Sequence, residues 1–186
     1  MKQLFAKKWI LAIMALVLIG STAPVSFSET TQASNPQNKA LIINVNSSKR
    51  LGIGGDNKYS AGAHIIQWGD VMTNIVNDQA WYIEPIGNGY VNIRNAESGL
   101  LLDVNGASTA EGAIIIQWPD NGGLNQQWSI VPTGKDRGHS SYIINRGSGQ
   151  YLNILGGSRA DGAQAIQEPY IFTLDKPAER WFLPIW

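Results

Sequence analysis

Three stretches of this 186-residue chain are copies of one another. Gly62-Ala63, Gly112-Ala113 and Gly162-Ala163 stand 50 residues apart, and so do Ile66, Ile116, Ile166 and Gln67, Gln117, Gln167. Ser48, Ser98 and Ser148 carry the register upstream. A tryptophan closes each copy, in Gln79-Ala80-Trp81, Gln126-Gln127-Trp128 and Glu179-Arg180-Trp181. Units this short cannot bury a core alone, so three of them must pack around a shared centre. Function is then expected on some or all of three related surface positions.

The first 28 or so residues stand outside the repeat. Lys2, Lys7 and Lys8 precede an uncharged apolar run from Trp9 to Gly20, followed by small polar residues. A basic start, a run of about 12 apolar residues and small residues near Ser26 and Ser28 read as a secretory signal, 1–28. The run is shorter than the roughly 20 residues a spanning helix needs. The stretch 29–39, rich in Ser, Thr, Gln, Asn and Pro, reads as a disordered linker. The expected product is a secreted, extracellular domain over 40–186, with units at about 40–86, 87–135 and 136–186.

Charge narrows the choice of partner. Removing three lysines from 14 basic residues leaves 11 against 14 acidic ones. No basic stripe suits a phosphate backbone, so nucleic acid is not expected as a partner, nor is membrane insertion after the signal is removed. Cysteine is absent. Stability must come from burial, for which about 147 residues suffice.

After residue 40 the chain reads as short strands rather than helices. Leu41-Ile42-Ile43-Asn44-Val45, Tyr90-Val91-Asn92-Ile93, Leu100-Leu101-Leu102-Asp103-Val104 and Tyr142-Ile143-Ile144-Asn145 are rich in β-branched and aromatic residues. Gly54-Gly55-Asp56-Asn57, Gly87-Asn88-Gly89, Asp120-Asn121-Gly122-Gly123 and Gly147-Ser148-Gly149 separate such runs as turns. An all-β architecture follows, and three units of about four strands suit a pseudo-threefold closed barrel.

The run Gly99-Leu100-Leu101-Leu102-Asp103-Val104, then Gly112-Ala113-Ile114-Ile115-Ile116-Gln117-Trp118, then Asn125-Gln126-Gln127-Trp128 resembles one unit of a ricin-type β-trefoil lectin. The resemblance extends from about Leu41 to Trp186, and the closing Gln-x-Trp is its most specific mark. It implies an all-β trefoil of about 12 strands in three repeats, with room for a sugar pocket in each lobe. The closing tryptophans Trp81, Trp128 and Trp181 are expected in the core, where large rings belong.

For the pocket, the resemblance implies an Asp accepting from sugar hydroxyls, an aromatic platform 15 positions later, and an Asn before the closing Gln. The second unit supplies all three as Asp103, Trp118 and Asn125, with Gln126 beside them. In the first unit the Asp position reads as Ile53, although Trp68 keeps the platform and Asp78-Gln79 closes the unit. Asp56 or Asp70 would have to supply its acceptor. In the third, Asn153 and Glu168 take the Asp and platform positions, Ala178 replaces the Asn, and Tyr170 offers a nearby ring. Many relatives carry a Gln two residues before the platform, where this chain has Ile116. Gln117 recurs even where the pocket is broken, so a structural role outweighs ligand contact.

Catalysis is not expected. Glycoside hydrolysis needs two carboxyl groups roughly 5 to 10 Å apart across one bond. The second unit offers Asp103, Glu111 and Asp120, but the last two fall in turns. His64 and His139 show no metal-ligand spacing, and neither a metal nor a cofactor is called for. The expected function is glycan binding through the second lobe. The alternatives are a non-catalytic trefoil that binds proteins or inhibits proteases, and a targeting subunit for a toxin or glycoside hydrolase on another chain.

Overall fold

The computed structural model describes residues 39–69, 77–171 and 174–183, all within one compact unit, Ala33–Trp186. The expected signal segment lies outside the described residues, as does the linker except for Lys39. That residue corrects the linker's end, because it opens the first strand, Lys39–Leu41, and pairs with Tyr82.

Thirteen strands are described: β1 (Lys39–Leu41), β2 (Ile43–Asn44), β3 (Arg50–Ile53), β4 (Ile65–Trp68), β5 (Ala80–Gly87), β6 (Tyr90–Asn95), β7 (Leu101–Val104), β8 (Ile115–Trp118), β9 (Trp128–Pro132), β10 (Ser140–Asn145), β11 (Tyr151–Ile154), β12 (Ala165–Glu168) and β13 (Trp181–Phe182). The count exceeds the expected twelve because Ile42 interrupts one strand. β1 pairs with β5 on one side of it and β2 pairs with β13 on the other. The pairing order β1-β5-β6-β9-β10-β13-β2 therefore returns to the stretch of chain where it began. Three hairpins, β3-β4, β7-β8 and β11-β12, branch from this ring. Single bridges His64↔Ile116, Ile66↔Gln164 and Ile114↔Ile166 join the hairpins to one another. This is a β-trefoil.

The core is five positions, each filled three times. Ile42, Ile93 and Ile143 form one set, and Leu51, Leu102 and Leu152 another. Ile53, Val104 and Ile154 follow, then Ile65, Ile115 and Ala165, then Trp81, Trp128 and Trp181. All three tryptophans are fully buried. Their indole N–H groups donate to the carbonyls of Leu51, Leu102 and Leu152 at 3.0, 3.1 and 3.0 Å. Each ring thus buries its apolar area without leaving its polar atom unpaired.

The repeated Gly-Ala and Ile-Gln pairs form the seams between units. Gln117 accepts from Ser98 Oγ at 2.7 Å within its own unit. It donates to the Lys58 and Ser60 carbonyls of the first unit, both at 2.9 Å. Gln167 grips Ser108 and Ala110 of the second unit in the same way, and Gln67 grips Ser158 and Ala160 of the third. Backbone bonds follow the same cycle, with Gly62 N–H donating to Gln117 O and Gln117 N–H to Ala63 O. Gly62, Gly112 and Gly162 have φ of 84°, 76° and 78°, in the left-handed region that a side chain makes costly.

This seam corrects the upstream register. The serine that bonds Gln67 is Ser47, at 2.7 Å, so Ser47 and not Ser48 is the counterpart of Ser98 and Ser148. Likewise Gly52 pairs with Ile66 as Asp103 pairs with Ile116 and Asn153 with Ile166. The first unit's Asp position is therefore Gly52 rather than Ile53, which is a core residue. The loop between β3 and β4 carries one residue more than its counterparts. The 50-residue spacing consequently holds only downstream of it.

Candidate functional site

In the second unit, β7 carries Asp103, the end of β8 carries Trp118, and the short 3-10 turn Leu124–Gln126 carries Asn125 and Gln126. The turn is pinned from the third unit, where Asn145 Nδ2 donates to Asn125 O at 2.9 Å. Asn95 and Asn44 hold the corresponding turns through Asp78 O and Ala178 O. Gly123 lets the turn close. A Cβ there would collide with Asn125 Oδ1 and lie 2.7 Å from Asn121 Oδ1.

Asp103 is 2% exposed. Its Oδ2 accepts from Asn125 Nδ2 and from Gln126 Nε2, each at 2.8 Å. Burial pushes its carboxyl above the ordinary range, against the opposing pull of the Gln126 and Asn125 amides. Oδ1 accepts no hydrogen bond from the described residues. It remains available, on a side chain that borders a cavity of about 350 Å³ lined also by Asn105, Ile116, Trp118, Asn121 and Asn125. Trp118 is 42% exposed, with one edge of its ring facing Gly62 of the first unit. The result is an apolar ring face beside a carboxylate oxygen and several side-chain amides.

Of the sequence-predicted residues, Asp103, Trp118 and Asn125 meet at this cavity. Gln126 does not border it. With Nε2 on Asp103 and Pro119 O and Oε1 accepting from Asn121 N–H, it holds the carboxylate from behind. Gln117 is fully buried in the seam. Asn105 and Asn121 are lining residues that sequence reading missed. Both sit in turns where the other units carry different residues, so only their closeness to the Asp and Asn positions pointed to them.

The other units have cavities at equivalent places. The third, of about 440 Å³, is crossed by ions, because Glu168 Oε2 accepts from Asn153 Nδ2 at 2.8 Å and meets Lys176 Nζ at 3.1 Å. Tyr170 does not line it. Its ring instead packs on Tyr151 and Tyr142, with centroids 5.2 and 5.6 Å away. The first cavity, of about 330 Å³, keeps Trp68, 46% exposed, together with Asp56, Lys58 and Asp78. Asp70 lies outside the described residues. Among the described residues no three His, Asp or Glu side chains converge as metal ligands would.

A pseudo-threefold trefoil with a ring-and-carboxylate cavity defines a class of small binding domains. The family model for ricin-type β-trefoil lectin-like domains matches residues 77–168, and the chain belongs to that family. It is similar to a designed threefold-symmetric protein, ThreeFoil, at 32% identity and a TM-score of 0.70, covering 78% of this chain and 96% of that one. It is also similar to an exo-β-1,3-galactanase from Clostridium thermocellum, at 29% identity and a TM-score of 0.70. That match covers 82% of this chain but 31% of the galactanase. A ricin B-like lectin from Macrolepiota procera, solved with lactose, shares the fold at 17% identity and a TM-score of 0.65, over 79% and 94% of the two chains. No curated protein matches the chain.

Proposed function

We propose that this protein is a non-catalytic glycan-binding protein whose main pocket is the second-unit cavity. The observation that carries the reading is the meeting of Asp103, Trp118 and Asn125 in one cavity. The apolar CH face of a pyranose lies against Trp118, which keeps its ring in the open. Asp103 Oδ1 accepts from sugar hydroxyls, and the nearby amides of Asn105, Asn121 and Asn125 supply donors. Gln126 fixes the carboxylate and does not touch sugar. The third cavity is not a strong sugar site, because its platform position is an ion-paired glutamate rather than a ring.

The deciding experiment is a glycan array probed with the purified protein, followed by Asp103→Asn on any hit. Binding that is lost in the variant supports the reading; no glycan retained, or binding unchanged in the variant, overturns it. A second reading follows from the galactanase match, in which a domain like this one forms part of a longer hydrolase. In that case the chain targets a hydrolase or toxin supplied separately, and co-purification with such a subunit tests it. We also place the protein outside the cell, on the basic and then apolar start of the chain. Protein recovered from culture medium with a new N-terminus near residue 29 is the expected result.

A further inference from the structure

The first-unit cavity has its carboxylate on the opposite wall from the second. Gly52 stands where Asp103 stands, and Asp78, in the 3-10 turn Asn77–Gln79, stands where Asn125 does. Gly52 cannot recover the lost carboxylate. A Cβ on it would lie 3.0 Å from Gln79 Cγ and 3.4 Å from Asp78 O.

Asp78 is 8% exposed, and its Oδ2 meets Lys58 Nζ at 2.6 Å. Among the described residues, its Oδ1 is buried with no hydrogen-bond partner, and so is Gln79 Oε1. The equivalent oxygen in the second unit, Gln126 Oε1, is satisfied by Asn121 N–H. Asp78 Oδ1 and Gln79 Oε1 are both acceptors. Asp56 adds a second carboxylate to the lining, and the Trp68 ring adds a π face that attracts cations. Among the described residues, Lys58 is the one base in that lining.

A hydroxyl both donates and accepts, whereas an ammonium only donates, through three N–H bonds. The second cavity, with a carboxylate among amides, suits hydroxyls. The first cavity, with two buried acceptors that no described residue satisfies, suits a donor-only group. We propose that the first-unit cavity binds an amino sugar with a free ammonium, its ring on Trp68 and its nitrogen on the Asp78 carboxylate. The sugar framework rests on the glycan-binding reading, but the choice of ammonium rests on this cavity's own atoms. Two pockets of different chemistry would then share one chain.

The test uses the full protein carrying Asp103→Asn, which weakens the second pocket. Its probes are short glucosamine oligomers, their N-acetylated counterparts, uronic acid oligomers and a lysine tetramer. Glucosamine oligomers should bind at least about tenfold more tightly than the other three, a difference of about 1.4 kcal/mol. Adding Asp78→Asn should erase that preference, and adding Trp68→Ala should weaken binding without unfolding, since the ring is exposed. Lys58→Gln should strengthen it by removing a competing cation, while the Lys58 carbonyl keeps its bond to Gln117. Equal retention of N-acetylated oligomers, equal retention of the lysine tetramer, or a preference for uronic acids lost with Lys58→Gln would each overturn the proposal. Neutral-glycan binding by the unmutated protein is scored separately. Its loss alone condemns the second-pocket reading, and loss of the ammonium preference alone condemns this one.

Discussion

Because one oxygen of Asp103 takes both protein amides, its charge can be changed without dismantling its surroundings. Asp103→Asn keeps an oxygen for Asn125 and Gln126 but turns an NH2 group toward the cavity. Glycan affinity should fall about tenfold or more, the loss expected of one hydrogen bond to a charged group, about 1.5–3 kcal/mol. The thermal midpoint should hardly move. Asp103→Ala, by contrast, strands two buried amides and should also cost stability, about 1–3 kcal/mol. Calorimetric titration beside thermal denaturation separates the two variants.

The same carboxyl gives binding a pH dependence. Burial raises its folded-state value above that of the unfolded chain, so the folded protein takes up the proton first as pH falls. This group therefore lowers stability as pH rises from the ordinary carboxylate value to the raised one, and acidification through that window does not unfold the protein on its account. Hydroxyl donors need the ionised form, so glycan affinity should decline on acidification while the fold persists. Titrations from about pH 7 down to about pH 3, bracketing the usual carboxylate value, check this. That Asp103, Trp118 and Asn125 meet at one cavity was legible in the sequence because their spacing matched a known pattern. The supporting role of Gln126 was not, because sequence adjacency does not show which side of a carboxylate an amide reaches.

At the scale of elements, the seam glutamines are what turn three hairpins into a cycle. Gln117→Ala leaves the Lys58 and Ser60 carbonyls and the Ser98 hydroxyl without their partner. It should destabilise the fold by about 1–3 kcal/mol for each buried group left unpaired. Hydrogen exchange should quicken most in the first unit's loop around residues 55–64, where the released carbonyls lie, and Gln167→Ala should move the effect to the second unit. The recurrence of Gly-Ala and Ile-Gln was legible as scaffold from the sequence. That each copy serves its neighbour rather than itself was not, because the contacts span 57 and 59 residues. The extra loop residue was hidden for a plainer reason. Ser47 and Ser48 are adjacent, so a serine matched Ser98 whether or not the spacing had slipped. The turn Leu124–Gln126 depends on Gly123, so Gly123→Ala should disturb Asn125 and weaken glycan binding more than it weakens the fold.

At the scale of the molecule, symmetry distributes stability evenly but function unevenly. The threefold core means that Trp128→Ala should cost about 3–5 kcal/mol, as large-to-small changes of buried aromatics do. Trp81→Ala should cost a similar amount, since both rings are fully buried with the same indole bond. Pocket residues face no such constraint, and they differ in all three units. One neutral-sugar pocket open to solvent gains little net energy from each hydroxyl, because every contact replaces one with water. Binding to a sparse glycan surface should therefore be weak and quickly reversed. Linking two copies through a flexible tether supplies effective concentration without any new contact, and apparent affinity for a dense surface should rise by about 10²–10⁴. On a surface too sparse for both copies to engage, the tether should add almost nothing. Surface plasmon resonance at two glycan densities, with the Asp103→Asn tandem as control, distinguishes this from a single strong site. A single strong site would bind both surfaces equally well as one copy.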